Sequence, residues 1–321
     1  MPIVYYIEDL IEFDSKQELR INENLVLKLA SDKYESTIKA LLERFIKNPF
    51  GTVFHESNRS LKTDSNDFIK EGKVRPKYYV LESSASKFNI FISRALLLTE
   101  KEFFCPFSFS PGNNGGLFGV AVSYSFGELS AFTYYNDKDL LFTPRKWDSK
   151  KFTSKDYEEF KRTINILENF DKKKDVFPHL SKALEDYFKI SELSDNSVFK
   201  VVSYIACLEL LLVDNSMGKL KSISQQLQSK LNLLNNRFEK PIIISDFVGG
   251  PNTLNLGIVI GIIYNYRSSI AHGDFLDFKK KLKVLETIAM DDILKLLRVL
   301  LRKTIIFSLI EPELVRDLKK C

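Results

Sequence analysis

Hydrophobic and polar positions follow two different rhythms along this chain, and the change comes about halfway. Before residue 150 the apolar positions form short runs. PIVYYIE (2–8), ENLVLKLA (23–30), KYYVLES (77–83) and LFGVAVSYSF (117–126) each predict a strand, and LSAFTYYN (129–136) extends the series. In the fourth run Val120, Val122, Tyr124 and Phe126 alternate with small or polar residues. A period of two puts one set of side chains on the buried face of a sheet. SPGNNGG (110–116) predicts a turn or loop. One helix is expected at 35–48, where Ile38, Leu41, Leu42 and Phe45 recur at helical spacing and Pro49 follows. Phe103, Phe104, Phe107 and Phe109 flank Pro106 and are expected to face inward.

From Thr153 onward the strand signals stop and the period lengthens to that of a helix. Helices are predicted at 154–170, 179–193, 197–213, 219–234, 253–271 and 281–309. Pro178, Pro251, Pro312 and Gly273 punctuate their ends. The polar stretch RKWDSKKFT (145–153) is the expected linker. The pattern therefore predicts an α+β N-terminal domain over 1–150 followed by an all-α helical bundle over 151–321. A length of 321 residues agrees with two domains, since single domains run roughly 100–200 residues.

Composition narrows the class. Apolar residues make up 44% of the chain and charged residues 28%, enough for each half to bury a core without metal or disulfides. The net charge of +5 permits a polyanionic partner without demanding one. Cys105, Cys207 and Cys321 are widely spaced and form no CxxC pair, which argues against a zinc site. No run reaches the ~20 apolar residues a bilayer needs. The N-terminus lacks the basic region and cleavage site of a secretion signal. A soluble, cytoplasmic protein is expected, with no membrane association. The lysine runs Lys172 to Lys174 and Lys279 to Lys281 fall in or beside predicted loops and read as solvated surface. MGKLKS (217–222) lacks the frame of a phosphate-binding loop.

The candidate chemistry lies in YNYRSSIAHGDF (264–275), which ends the most apolar run of the chain. The chain has three histidines, His55, His179 and His272, and His272 follows Arg267 by five positions. On a helix Asn265, Ser268 and His272 share one face, whereas Arg267 points about 140° from His272. The two converge if the helix frays near Gly273, or if two copies meet around a two-fold axis. Histidine transfers protons at neutral pH. Arginine is a permanent cation whose planar fork matches phosphate oxygens. Together, without metal, they suit cleavage of an RNA phosphodiester, where the 2′-hydroxyl is the nucleophile. A structural reading stands beside this one. His272 in a last turn can interact with the helix dipole, and Arg267 can pair with a carboxylate such as Glu209.

YNYRSSIAHG (264–273) resembles the R-x(4–6)-H motif of HEPN domains (higher eukaryotes and prokaryotes nucleotide-binding), and more narrowly the ApeA-like HEPN group. SVFKVVSYIACLELLL resembles that group's apolar helix with its Leu-Glu-x-Leu-Leu pattern, and KLKSISQQLQSKLNLL the amphipathic helix after it. The resemblance covers roughly residues 155–310. It implies an all-α HEPN-type bundle that dimerises through its motif helices. It also implies metal-independent endoribonuclease activity on RNA with no cofactor, often in anti-phage defence, abortive infection or toxin systems. Arg267 and His272 match the motif arginine and histidine. Ser268 takes the polar position after the arginine, where many HEPN nucleases carry Asn, Asp or His. Glu209 matches an acidic position on the preceding apolar helix, either orienting Arg267 or His272 or serving structure. Tyr264 and Tyr266 either stack on bases or belong to the core. In this picture the N-terminal domain senses a trigger or binds an inhibitor. The alternative is a non-catalytic module of the same fold that recognises a ligand or partner through its N-terminal domain.

Overall fold

β-Branched and aromatic runs in the first part of the chain assemble into a sheet. The computed structural model describes residues 2–7, 10–13, 18–47, 78–84, 90–103, 105, 107–111, 117–122, 150–193, 197–214, 222–247, 255–272 and 289–321. The chain divides into two units, Met1–Asn165 and Ile166–Cys321. The first contains β1 (Ile3–Ile7), β2 (Leu10–Phe13), β3 (Leu19–Asn22), β4 (Leu25–Leu29), α1 (Asp32–Lys47), β5 (Tyr79–Ser83), α2 (Ile90–Leu98), β6 (Phe107–Pro111), β7 (Leu117–Val122) and β8 (Lys150–Phe152). Six strands form an antiparallel sheet in the order β3-β4-β5-β1-β6-β7, while β2 and β8 pair separately and in parallel.

Every residue of β1 is buried, because it lies inside the sheet between β5 and β6. Coverage of both faces explains why IVYYI is continuously apolar. On one face Val4, Tyr6, Val80, Phe107 and Phe109 form a core with Ile38 and Leu41 of α1. Ile38 and Leu41 are three positions apart and so share a helix face. α1 starts at Asp32, ahead of its expected start, because the Ser31 hydroxyl accepts from the Tyr34 N–H at 3.4 Å.

The strands expected at 2–8, 23–30 and 77–83 correspond to β1, β4 and β5, and β7 covers 117–122 of the fourth, whose remainder with Tyr124 and Phe126 lies outside the described residues. Phe103, Phe107 and Phe109 are buried, but Phe107 and Phe109 belong to a strand that the aromatic cluster did not disclose. In FSFS the serines are buried too, and Ser110 donates to the carbonyl of Pro2 at 3.1 Å. Ser110 and Pro111 therefore end β6 and are not part of the expected loop. The expected linker also differs, since Lys150 to Phe152 form β8 against β2. An edge strand is held by backbone pairing and needs no apolar alternation. The strand expected at 129–136, the rest of the loop at 112–116, the linker at 145–149, and Phe104, Pro106 and His55 lie outside the described residues.

α3 (Ser154–Asp171) begins at the carboxylate of Asp156, which accepts from the N–H and hydroxyl of Thr153, both at 2.7 Å, and from Lys101 at 3.0 Å. Burial pushes this carboxyl up, but the bonds from Thr153 and Lys101 outweigh it and hold it below the ordinary range.

The second unit is helical: the end of α3, then α4 (Pro178–Glu192), α5 (Val198–Leu212), α6 (Ile223–Asn235), α7 (Leu256–Ala271), α8 (Met290–Ile310) and α9 (Pro312–Lys320). Each expected helix is present. The segments 219–221, 253–254 and 281–288, the run Lys279 to Lys281, Pro251 and Gly273 lie outside the described residues. Starts follow local chemistry. Ser222 and Gln225 form a reciprocal capping box for α6, and Asn255 accepts from the Ile258 N–H at 2.9 Å to start α7. Pro312 opens α9 at its first turn, where its missing N–H costs nothing. The sequence pattern did not disclose that last helix.

α5 is the central helix and packs against α4, α6, α7, α8 and α9. Its Val201, Tyr204, Ile205, Cys207, Leu208, Leu211 and Leu212 are all buried. α7 meets α6 through Gly257 and Gly261, one turn apart. The Gly257 N–H donates to Asn232 Oδ1 at 2.9 Å. A β-carbon would stand 2.5 Å from Asn232 Nδ2 at Gly257, and 2.6 Å from Gln228 Nε2 at Gly261. Gly261→Val is expected to destabilise the chain by about 1–3 kcal/mol through overpacking, read as a lower urea midpoint. Gly261→Ala should cost less, because the amide end of Gln228 can swing aside.

A second tie joins helix ends. Lys230 is buried, and its ammonium donates to the carbonyls of Leu212 at 3.0 Å and Lys319 at 2.8 Å, and to Gln226 Oε1 at 3.3 Å. Lys319 in turn donates to the carbonyl of Leu210 at 2.7 Å. The C-terminal carbonyls of α5 and α9 thus share cations, as the helix dipole favours. Among the described residues no helix is long and apolar enough to cross a membrane.

Candidate functional site

α7 buries one stripe and presents another. Leu256, Val259, Ile260, Ile263, Tyr266 and Ile270 are buried at helical spacing. Ile258, Ile262, Asn265, Ser269 and His272 follow steps of four and three and form the outward stripe. Ile258, Asn265 and His272 are exposed, while Ile262 and Ser269 are partly buried. Ser268 is also partly buried.

Arg267 flanks the buried stripe and reaches α5. Its Nη2 lies 3.4 Å from Glu209 Oε2, with the side chains 25% and 20% exposed. One turn earlier on the same face, the Tyr264 ring lies under the guanidinium, 5.7 Å from its carbon to the ring centroid. The pairing is incomplete. Arg267 Nε and Glu209 Oε1 are both buried with no hydrogen bond to any described residue.

The electrostatics follow from this burial. Burial pushes the Glu209 carboxyl up, and the Arg267 charge and the Tyr264 hydroxyl oppose it without cancelling it. Burial and the Glu209 charge likewise raise the Tyr264 phenol, with Arg267 opposing. Tyr266 is raised by burial alone and lies in the core, so its ring is not available to stack on a base.

His272 caps the C-terminus of α7, and its N–H donates to the carbonyl of Ser268 at 3.1 Å. Its ring is exposed and makes no hydrogen bond or ion pair with any described residue. The Ser269 hydroxyl donates to the carbonyl of Asn265 at 3.2 Å. The structure therefore gathers Arg267, Glu209 and Tyr264 and leaves Asn265 and His272 on the outward stripe, with Ser268 partly buried beside them. No hydrogen bond or ion pair joins Arg267 to His272. The divergence expected from helix geometry is present, and the Glu209 pair accounts for where the arginine points.

The association of Tyr264 with Arg267 was legible in their spacing of three residues, which places a ring and a cation on one face. The ammonium of Lys230 had no local signal, because its carbonyl partners lie 18 and 89 residues away. His179 opens α4, and burial, Lys319 and Arg316 all push its pKa down. Among the described residues no three His, Cys, Asp or Glu side chains form a group able to hold a metal ion. Compared with protein-family models, curated proteins and solved structures, the chain matches none of them.

Proposed function

We propose that this chain is a metal-independent endoribonuclease of the HEPN type, resembling the ApeA-like group and acting in the cytoplasm in anti-phage defence, abortive infection or a toxin system. The observation that carries the reading is the end of α7. An exposed imidazole, with no hydrogen bond or ion pair to any described residue, closes the helix, and an arginine stands five residues before it. The helices before it occur in the order that the resemblance implies.

The chemistry needs two roles. His272 takes the proton of a 2′-hydroxyl, or gives one to the departing 5′-oxygen. The 2′-oxygen attacks phosphorus, the P–O5′ bond breaks, and a 2′,3′-cyclic phosphate and a 5′-hydroxyl result. Arg267 binds the non-bridging oxygens as their charge grows. The two side chains diverge on one helix, so the working site joins Arg267 of one copy to His272 of a second in a homodimer. The N-terminal unit then senses a trigger or binds an inhibitor.

The test is cleavage of single-stranded RNA by the full chain in excess EDTA. Cleavage should persist, and His272→Ala should slow it by about 10²–10⁴-fold. Loss of cleavage in EDTA, or a His272→Ala variant as fast as the wild type, overturns the reading.

The Glu209 contact favours a second reading, in which Arg267 is a structural tie and the helical unit only binds or assembles. Equal tolerance by cells of overexpressed wild type and His272→Ala supports that alternative.

A further inference from the structure

We propose that Glu209 is a latch on Arg267, and that an RNA phosphate binds by taking the guanidinium away from it. This rests on the reading of Arg267 as the phosphate ligand and adds a regulatory step to the same site.

Three observations carry it. The guanidinium offers five donors, yet among the described residues only its Nη2 has a hydrogen-bond partner, and that bond is long at 3.4 Å. Nε, which with Nη2 forms one edge that can grip an oxyanion in bidentate fashion, is buried with neither partner nor solvent. One face of the group is covered by Tyr264. A phosphate therefore cannot reach the Nε edge while the arginine lies on Glu209. A carboxylate left beside the bound phosphate repels it, so engagement of RNA and release of Glu209 are coupled.

The contact is also poorly optimised for a purely structural tie. A buried arginine–carboxylate pair that serves stability is normally bidentate, with its other polar atoms satisfied. Here each partner keeps a buried atom unpaired, Arg267 Nε and Glu209 Oε1. The latched state thus holds unmet hydrogen-bonding capacity that an oxyanion satisfies on the arginine side. Tyr264 supports the same geometry, since the guanidinium carbon stands over its ring, 5.7 Å from the centroid.

The experiment measures binding, so that it does not depend on turnover. A short single-stranded RNA with 2′-O-methyl groups throughout has no nucleophile, and its affinity for the full chain is read by fluorescence anisotropy at fixed salt. Glu209→Gln is expected to bind about tenfold more tightly than the wild type. In an Arg267→Ala background, Glu209→Gln should add nothing. If Glu209→Gln does not fold, Glu209→Asp replaces it; the carboxylate is withdrawn by one methylene, and a smaller gain of the same sign is expected.

Unchanged or weaker binding by the folded variant overturns the latch, and so does a gain that survives Arg267→Ala, which reports only a general charge effect. Absence of RNA binding in every variant overturns it as well. If the wild type cleaves RNA and Glu209→Gln gives no gain, the latch falls and the nuclease reading stands. If Glu209→Gln gains affinity through Arg267 while no chain cleaves RNA, the latch stands and the nuclease reading falls.

Discussion

Arg267→Ala and His272→Ala chains, each inactive alone, are expected to regain about one quarter of wild-type RNA cleavage when mixed in equal amounts and allowed to exchange subunits. Alone, the first variant loses the group that holds the phosphate, at a cost of about 10²–10³-fold. The second loses its proton carrier, at a cost of about 10²–10⁴-fold. In a two-fold dimer whose sites each take the arginine from one copy and the histidine from the other, a mixed dimer keeps one intact site of two. Random exchange makes about half of the dimers mixed, and the product of the two halves is the expected quarter. A site built within one chain predicts no recovery, because every chain then lacks one member of the pair. The measurement separates the two arrangements by a large ratio against a near-zero background. Failure to recover activity, with subunit exchange verified, would falsify the composite site while leaving each residue's role to the single variants.

Lys230→Met is expected to destabilise the chain by about 2–4 kcal/mol. The ammonium satisfies the carbonyls of Leu212 and Lys319 and the Gln226 side chain from a buried position. Methionine has nearly the same length and no donor. It fills the space and leaves the two carbonyls, each near the end of a helix, to be rehydrated or left unpaired. Removing a buried charge recovers part of its desolvation cost, and so the expected loss is smaller than the sum of three charged hydrogen bonds. For a unit of this size the loss lowers the midpoint of thermal unfolding by about 5–15 °C, followed as loss of helical circular dichroism. A shift of less than ~2 °C shows that the carbonyls find other partners.

Several elements could be read directly. The helices α3 to α8 follow from apolar positions at helical spacing, and Pro178 and Pro312 mark breaks between them. The strands β1, β4, β5 and β7 follow from short apolar runs. β6 escaped because Pro106 precedes it, Pro111 ends it, and its serines are buried along with its phenylalanines, so FSFSP shows no alternation of apolar and exposed polar positions. β8 escaped because KKF is polar and is held by backbone pairing with β2. At the candidate site, the divergence of Arg267 and His272 followed from helix geometry alone. The sequence also offered Glu209 as one carboxylate partner for Arg267, but did not choose it.

By itself, the sequence determined the order and type of most elements, the change from sheet to helices near residue 153, and the shared face of Asn265 and His272 on α7, away from Arg267. These are local properties, because apolar periodicity and capping residues act within a few turns of the chain. Only the tertiary structure decided that Arg267 lies on Glu209, 58 residues away, and that Lys230 gathers the ends of two other helices. Those contacts depend on which side chains the packing of α5, α6, α7 and α9 brings within about 3 Å, and no spacing along one helix encodes that distance.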